Sequence, residues 1–406
     1  MRLAWFSPLP PISSGIADYS AELLPILAER AEVDVFSPRF SSGRLVKAPA
    51  GVAVHAPGSF HRRAGRYDSV IYHLGNNPHH EFVYLAARER PGVAVFHELV
   101  LHHLIGHLYN ERSRHRDRYR ALLAEEYGDV GVRLAQLRGR WVSTGLEPFL
   151  FPMIGHVARR SQAVVVHSQE GRDDISALAP AVPVTVIPHH AGAPPPQAAN
   201  ETRETARKEL GLPSDAFVVG HFGFITIPKQ PGAILRGFHR LLQRRPDALL
   251  VLVGRDMIRG QAIRELIRML DLTERIRMVG FVDLPGFYQY LNAVDAVVNL
   301  RYPSAGEASG TFSRAMAQGR AVIVNNVGSF AEVPDDAVLK VEVDGDQADE
   351  VGQHLIRLAE DPAFKASLEE RARLYAATAL DPRRCAQLYL DVARSVAGRQ
   401  AVAVTR

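Results

Sequence analysis

Short apolar runs, many of them β-branched, alternate along the chain with longer stretches in which apolar positions recur every third or fourth residue. In the first half the runs stand at 3–8 (LAWFSP), 33–38 (VDVFSP), 69–75 (SVIYHLG), 92–98 (GVAVFHE) and 163–168 (AVVVHS). Runs this short, bounded by Gly, Pro and Ser, read as strands buried on both faces, and IADYSAELLPILAER after the first reads as an amphipathic helix. Strands separated by helices predict a parallel, doubly wound sheet.

After VTVIPHHAG the chain enters APPPQAANETRETARKEL, proline-rich and then polar, which reads as a linker leading into a helix. The alternation then resumes at 217–224, 248–254, 276–282, 296–302, 321–326 and 337–342. Two such halves predict an α/β protein of two facing Rossmann-like domains, with ligands in the interdomain cleft. The expected divisions are 1–192, 193–380 and a closing segment, 381–406. One stretch breaks the rhythm: 107–142 is long, charged and rich in arginine. It reads first as a solvated helix face, and second as a basic surface for peripheral membrane contact.

Composition narrows the classes. Of 406 residues, 47% are hydrophobic and 23% charged, which describes a soluble globular protein, and a pI near 9.2 with a net charge of only +4 is a mild bias towards anionic ligands or anionic membrane surfaces; no nucleic-acid partner is expected. Cys385 is the only cysteine, so disulfides within the chain and thiolate metal clusters are excluded. The N-terminus turns to proline too early for a signal-peptide core, and no apolar stretch reaches membrane-spanning length. The expectation is a cytoplasmic enzyme, with any membrane contact peripheral at the inner face.

Two stretches carry candidate chemistry. FHELVLHHLIGHL (96–108) holds four histidines and a glutamate, but Leu101 stands where a His-Glu-x-x-His zinc helix needs its second ligand. His103 and His107 alone are fewer ligands than zinc sites use, so no metal is expected. NLRYPSAGEASGTFSRAMAQGRAVIV (299–324) reads as a strand, a small-residue loop with Gly306, Glu307, Ser309 and Gly310, and a helix stopped by Gly319. Free amides at the start of such a helix form an anion site, and Glu307 can accept hydrogen bonds from sugar hydroxyls.

Four motifs in order resemble a retaining glycosyltransferase of family four with the two-domain GT-B fold. GFITIPK matches that family's glycine and lysine six residues apart, at Gly223 and Lys229. VGRD (253–256), GFVDLPGFYQYLNAVDAVVNL (280–300) and the Glu307 loop with its AMAQG helix follow in the family's order. The resemblance implies a nucleotide-diphosphate sugar donor, a carbohydrate or lipid-linked acceptor, and neither cofactor nor obligatory metal. Lys229, Glu307 and His97 would be catalytic. Gly15 in PLPPISSGIADY, Gly223, Arg255, Phe281, Val282, Ser309, Gly310, Thr311 and Arg314 would bind the donor. Asn76, Asn77 and His79, in YHLGNNPHHEF after another strand, would contact acceptor or sugar.

The chain departs from that pattern twice. Phe224 replaces the arginine that commonly follows the glycine, with Arg255 as a candidate substitute, and Arg314 replaces the family's second glutamate. These departures leave a non-catalytic binding protein as one alternative to the transferase, and a nucleotide-sugar epimerase of the same fold is another.

Overall fold

The structure, a computed structural model, describes residues 1–406 except 42, 112–114, 141, 259–260 and 405–406. Chain contacts divide it into two compact units: Met1–His189 with Ala305–Ala308 and Pro382–Arg406, and His190–Ser304 with Ser309–Asp381.

The first unit is built on a parallel sheet of seven strands among the described residues: β1 (Arg2–Phe6), β2 (Glu32–Phe36), β3 (Ala53–His55), β4 (Ser69–Leu74), β5 (Val93–Phe96), β6 (Ala163–Val166) and β7 (Val184–Val186). Their order is β3-β2-β1-β4-β5-β6-β7, the doubly wound arrangement that reverses direction between β1 and β4. The apolar runs alternate across the sheet. Phe6, Tyr72, Phe96 and Val166 face one core, while Leu3, Trp5, Ile71 and Val95 face the other. This is the period-two packing of strands covered on both sides.

Helix α1 (Gly15–Ala28) covers the second face with Tyr19, Leu23, Leu24 and Leu27. It shares that face with the helix Pro382–Val404, which contributes Tyr389, Leu390 and Ala393. The phenols of Tyr19 and Tyr389 meet at 2.9 Å, and Cys385 Sγ donates to the Pro188 carbonyl at 3.3 Å, so the lone cysteine is a buried packing group.

Within 107–142 the main element is a helix, Arg116–Gly139, interrupted at Gly128, where φ is +58°. Its buried side carries Tyr119, Leu122, Leu123 and Leu134, while Arg116, Asp117, Arg118, Arg120, Glu125 and Arg133 are exposed and form a solvated face. Arg138 is turned inward, donating to His102 at 2.7 Å and pairing with Glu147 at 3.4 Å. Residues 112–114 and 141 of this basic segment lie outside the described residues. Among the described residues no helix is long and apolar enough to cross a membrane.

The second unit repeats the plan with β8 (Val218–Phe222), β9 (Leu249–Val253), β10 (Ile276–Gly280), β11 (Ala296–Asn299), β12 (Ala321–Asn325) and β13 (Leu339–Val341), ordered β10-β9-β8-β11-β12-β13. Its direction reverses between β8 and β11. In Pro231–Leu242, Ile234, Leu235, Phe238 and Leu241 form one apolar stripe against the sheet. Helix α2 (Gly310–Ala317) packs Phe312, Ala315 and Met316 on the other face.

Candidate functional site

In an open parallel sheet, ligands sit beyond the carboxyl ends of the strands at the point of reversal. In the second unit the loops after β8 and β11 flank that point. β8 runs into Gly223 (φ +87°) and β9 into Gly254 (φ +152°). Gly223 N donates to Val253 O at 2.8 Å and Ile225 N to Arg255 O at 2.9 Å, so pairing continues past both strand ends. A Cβ on Gly254 would stand 2.0 Å from the Gly223 carbonyl oxygen, and one on Gly223 would stand 2.5 Å from Lys229 Nζ. Only glycine fits either position. Lys229 closes a single helical turn, is buried, and donates from Nζ to the Phe222 carbonyl at 3.0 Å. A cation is thereby fixed over bare backbone at the strand end.

Beside it, β11 ends in Asn299. Ser309 caps α2 by accepting from Phe312 N at 3.3 Å, and its hydroxyl donates to Asn299 Oδ1 at 3.3 Å. The amide-rich N-terminus of α2, at Gly310 and Thr311, is thus anchored to the adjoining strand, with the helix dipole behind it. Arg314, one turn in, is buried and donates to the Gly310 carbonyl at 3.3 Å. Two of the sequence candidates are buried cations of this unit, Lys229 and Arg314. Arg255 is exposed and takes part in the loop pairing through its carbonyl oxygen, while Phe224 and Phe281 are 45% and 62% exposed. Val282 is half-buried against the core. His221 lies beneath, its Nδ1 donating to Val298 O at 3.1 Å. Burial first, then the Lys229 charge, push its pKa down to about 3, so it is neutral under the ammonium.

In the first unit the loops after β1 and β4 flank the reversal. Ser14 caps α1 by accepting from Ile16 N at 3.3 Å, which places Gly15 at the first turn. His80 Nδ1 donates to His73 O at 2.9 Å, so its Nε2, 3.4 Å from Ser14 Oγ, is an acceptor. Burial holds His80 at about 4. Asn77 caps its own turn, taking His79 N at 3.0 Å, and His79 is exposed. Asn76 is occupied structurally: its Oδ1 accepts from His103 N at 2.8 Å and Leu104 N at 3.1 Å, and its own amide donates to Glu98 Oε1 at 2.7 Å.

The histidines of 96–108 separate into two roles. His97 closes β5 and is buried with its two ring nitrogens 2.9 Å from His73 Nδ1 and 3.0 Å from His167 Nε2. Burial, then the neighbouring histidines, hold its pKa well below the usual range. His102 is a packing residue: Nδ1 donates to Phe151 O at 2.6 Å, and Nε2 accepts from Tyr119 and Arg138, each at 2.7 Å. Also counted with the first unit is the Ala305–Ala308 segment, where Leu99 N donates to Ala305 O at 2.6 Å and Glu307 Oε2 accepts from Ala305 N at 2.6 Å.

Sequence reading passed over His73, His167, His221 and Asn299. Each closes or nearly closes an apolar strand run (SVIYHL, AVVVHS, VVGHF, AVVN), and a polar residue at that place in a parallel strand is the signal that marks it.

Residues 216–361, which include the Gly223–Lys229 loop, Ser309 and α2, match the family described as glycosyl transferases group 1. Over those residues the second unit is similar to that family. A D-inositol 3-phosphate glycosyltransferase of Kribbella flavida is 30% identical over 176 residues, 41% of this chain and 41% of its own length. The chain thus aligns with about two-fifths of that relative. Among solved structures, sucrose-phosphate synthase from Thermosynechococcus elongatus superposes with a TM-score of 0.70 at 17% identity, covering 98% of this chain and 99% of its own. HepE of Anabaena, in complex with UDP and glucose, gives a TM-score of 0.66 at 16% identity, covering 97% and 100%. The chain therefore has the GT-B fold, with two Rossmann-like domains on parallel sheets.

Proposed function

We propose that this chain is a retaining glycosyltransferase that moves a sugar from a nucleotide-diphosphate sugar to an acceptor hydroxyl. The observation that carries the reading is the reversal point of the second unit. There, glycine backbone, the Lys229 ammonium and the N-terminus of α2 offer what a diphosphate requires: close approach, a cation and free amides. The Kribbella flavida relative is by name a glycosyltransferase, and the HepE neighbour is in complex with UDP and glucose, which supports this reading.

Departure of the nucleoside diphosphate builds negative charge on its phosphate, and the proposed role of Lys229 and the α2 terminus is to stabilise it. Arg314 supplies the second cation in this reading, because it is buried one turn into α2 whereas Arg255 is exposed. Gly15, Gly223, Ser309, Gly310 and Thr311 would present backbone or hydroxyl groups, and Phe281 and Val282 would border the base. Glu307, Asn77 and His79 would meet hydroxyls. No side chain is assigned as a covalent nucleophile, so the acceptor attacks the face that the leaving group vacates. Acceptors to test first are polyol phosphates, following the relative's name, and then lipid-linked sugars. Exposed Val130, Leu137, Leu146 and Leu150, near the arginines of 116–140, are the proposed lipid-contacting groups.

The test is a panel of UDP-, GDP- and ADP-sugars with and without acceptors, with anomeric configuration read by NMR. Transfer with retained configuration is expected. Sugar isomerisation in the absence of acceptor would replace the reading with an epimerase. Failure of any nucleotide or nucleotide sugar to raise the unfolding temperature would replace it with a non-catalytic protein.

A further inference from the structure

The buried histidines of the first unit form a chain whose proton order can be worked out from one atom. His167 Nδ1 lies 2.7 Å from the Ile187 carbonyl oxygen. A carbonyl only accepts, so Nδ1 carries the hydrogen. In neutral His167 the other nitrogen, Nε2, is then a bare acceptor, and it faces His97 Nδ1 at 3.0 Å. The hydrogen between them belongs to His97 Nδ1. Neutral His97 therefore has a bare Nε2, and the hydrogen in its 2.9 Å contact with His73 belongs to His73 Nδ1. Reversing the order would require Ile187 O to donate, which it cannot do.

The surroundings favour this neutral, ordered state. His97 and His167 are 6% and 7% exposed. Burial is the first cause of their lowered pKa values, with His167 at about 4, and the neighbouring histidines oppose a charge on His97 further. The ring of Tyr19 stands edge-on to His97, with centroids 4.8 Å apart, and closes another side with an uncharged group.

We propose that His167 is a positioning residue for the transfer reaction: acting through His97, it fixes the Nδ1–H tautomer and the ring plane of His97 and keeps that strand end uncharged. This rests on the transferase reading, with His97, the catalytic candidate at the end of β5, taken to face the transferred sugar. In that reaction the anomeric carbon becomes cationic, so an imidazolium at His97 would raise the barrier and a neutral ring would not. Partners that orient metal-ligating histidines change performance about 10- to 100-fold, and the same range is expected here for a histidine oriented without a metal.

The experiment uses the full chain. In wild-type protein, 15N NMR should show His97 and His167 as neutral Nδ1–H tautomers. His167→Leu removes the acceptor for His97 Nδ1–H. It should lower kcat about 10- to 100-fold with the donor KM within about twofold. His167→Gln, whose Oε1 can accept that hydrogen, should recover most of the rate and serves as the folded comparison if the leucine variant does not fold. The decisive measurement is a double-mutant cycle. If His167 acts through His97, then His97→Ala with His167→Leu should be no slower than His97→Ala alone. Multiplicative losses in the double variant, a wild-type rate in His167→Leu, or an Nε2–H signal for His97 in wild-type protein would each overturn the proposal. An inactive wild-type protein would overturn the transferase reading first and this inference with it. An active wild-type protein with an equally active His167→Leu would overturn this inference alone.

Discussion

Replacing Gly223 with alanine adds one methyl group, and the structure indicates where its cost falls. The Cβ would stand 2.5 Å from Lys229 Nζ, so reaching an ordinary contact of 3.4 Å needs a retreat of about 0.9 Å by the ammonium. That retreat lengthens the 3.0 Å bond to the Phe222 carbonyl, and a hydrogen bond to a charged group is worth about 1.5 to 3 kcal/mol. The backbone adds its own strain, because φ here is +87° and a side chain in the left-handed region costs roughly 1 to 2 kcal/mol. Part of the bond survives, so the expected loss is about 2 to 4 kcal/mol, which for a domain of this size lowers the unfolding midpoint by roughly 4 to 16 °C. Turnover should fall about 100-fold or more, since a misplacement near 1 Å has that effect on a positioned group. The assays are thermal unfolding and initial transfer rate on Gly223→Ala, Lys229→Ala and the double variant. With Lys229 truncated the new methyl has no ammonium to strike, so the second substitution should cost only the backbone strain. Strictly additive losses, or a Gly223→Ala protein with wild-type midpoint and rate, would refute the placement of Lys229 over Gly223.

Stability should also decline as pH falls from about 6.5 towards 4. His80, His102 and His167 titrate at about 4 in the fold against 6.5 when free, so in that window the unfolded chain binds protons that the folded chain refuses. Each contributes up to about 1.4 kcal/mol per pH unit, levelling off below pH 4, and a urea midpoint that does not move between pH 7 and 5 would contradict the neutral cluster. Asn76→Ala should destabilise the fold by about 1 to 2 kcal/mol through loss of the cap on the His102–Gly106 turn. An unchanged denaturation midpoint for that variant, combined with a raised acceptor KM, would show instead that Asn76 serves the ligand.

The apolar periodicity was enough to locate eleven of the strands, because a strand covered on both faces needs near-continuous β-branched and aromatic residues. β3 and β7 escaped notice for the opposite reason: they are three-residue edge strands whose sides are only partly covered, so AVH and VTV show no distinctive pattern. In the second unit the pairing of Gly223 with Lys229 was legible because GFITIPK sets a glycine, which permits close approach at a strand end, and a lysine across one short loop. The histidine network was not. Its members lie far apart in sequence, and what joins them, a 3.0 Å contact between His97 and His167 across 70 positions, is a product of strand order. The contacts of Asn76 with His103 and Leu104 were not legible either, because capping and hydroxyl recognition use the same chemical group and only the fold brings those amides to it.

The contact between Tyr19 and Tyr389 spans 370 positions, and it ties completion of the first unit to the timing of synthesis. At roughly 5 to 20 residues per second, about 20 to 75 s separate the emergence of the two tyrosines from the ribosome. The last strand of the sheet ends at Val186, 203 positions before Tyr389, so for about 10 to 40 s Leu3, Trp5, Ile71 and Val95 lack the covering that Tyr389, Leu390 and Ala393 later provide although every strand of their sheet has been made. The nascent chain must therefore carry an apolar face while the whole second unit is translated. Expression yield should respond to translation speed and chaperone supply more than the stability of the finished protein would indicate.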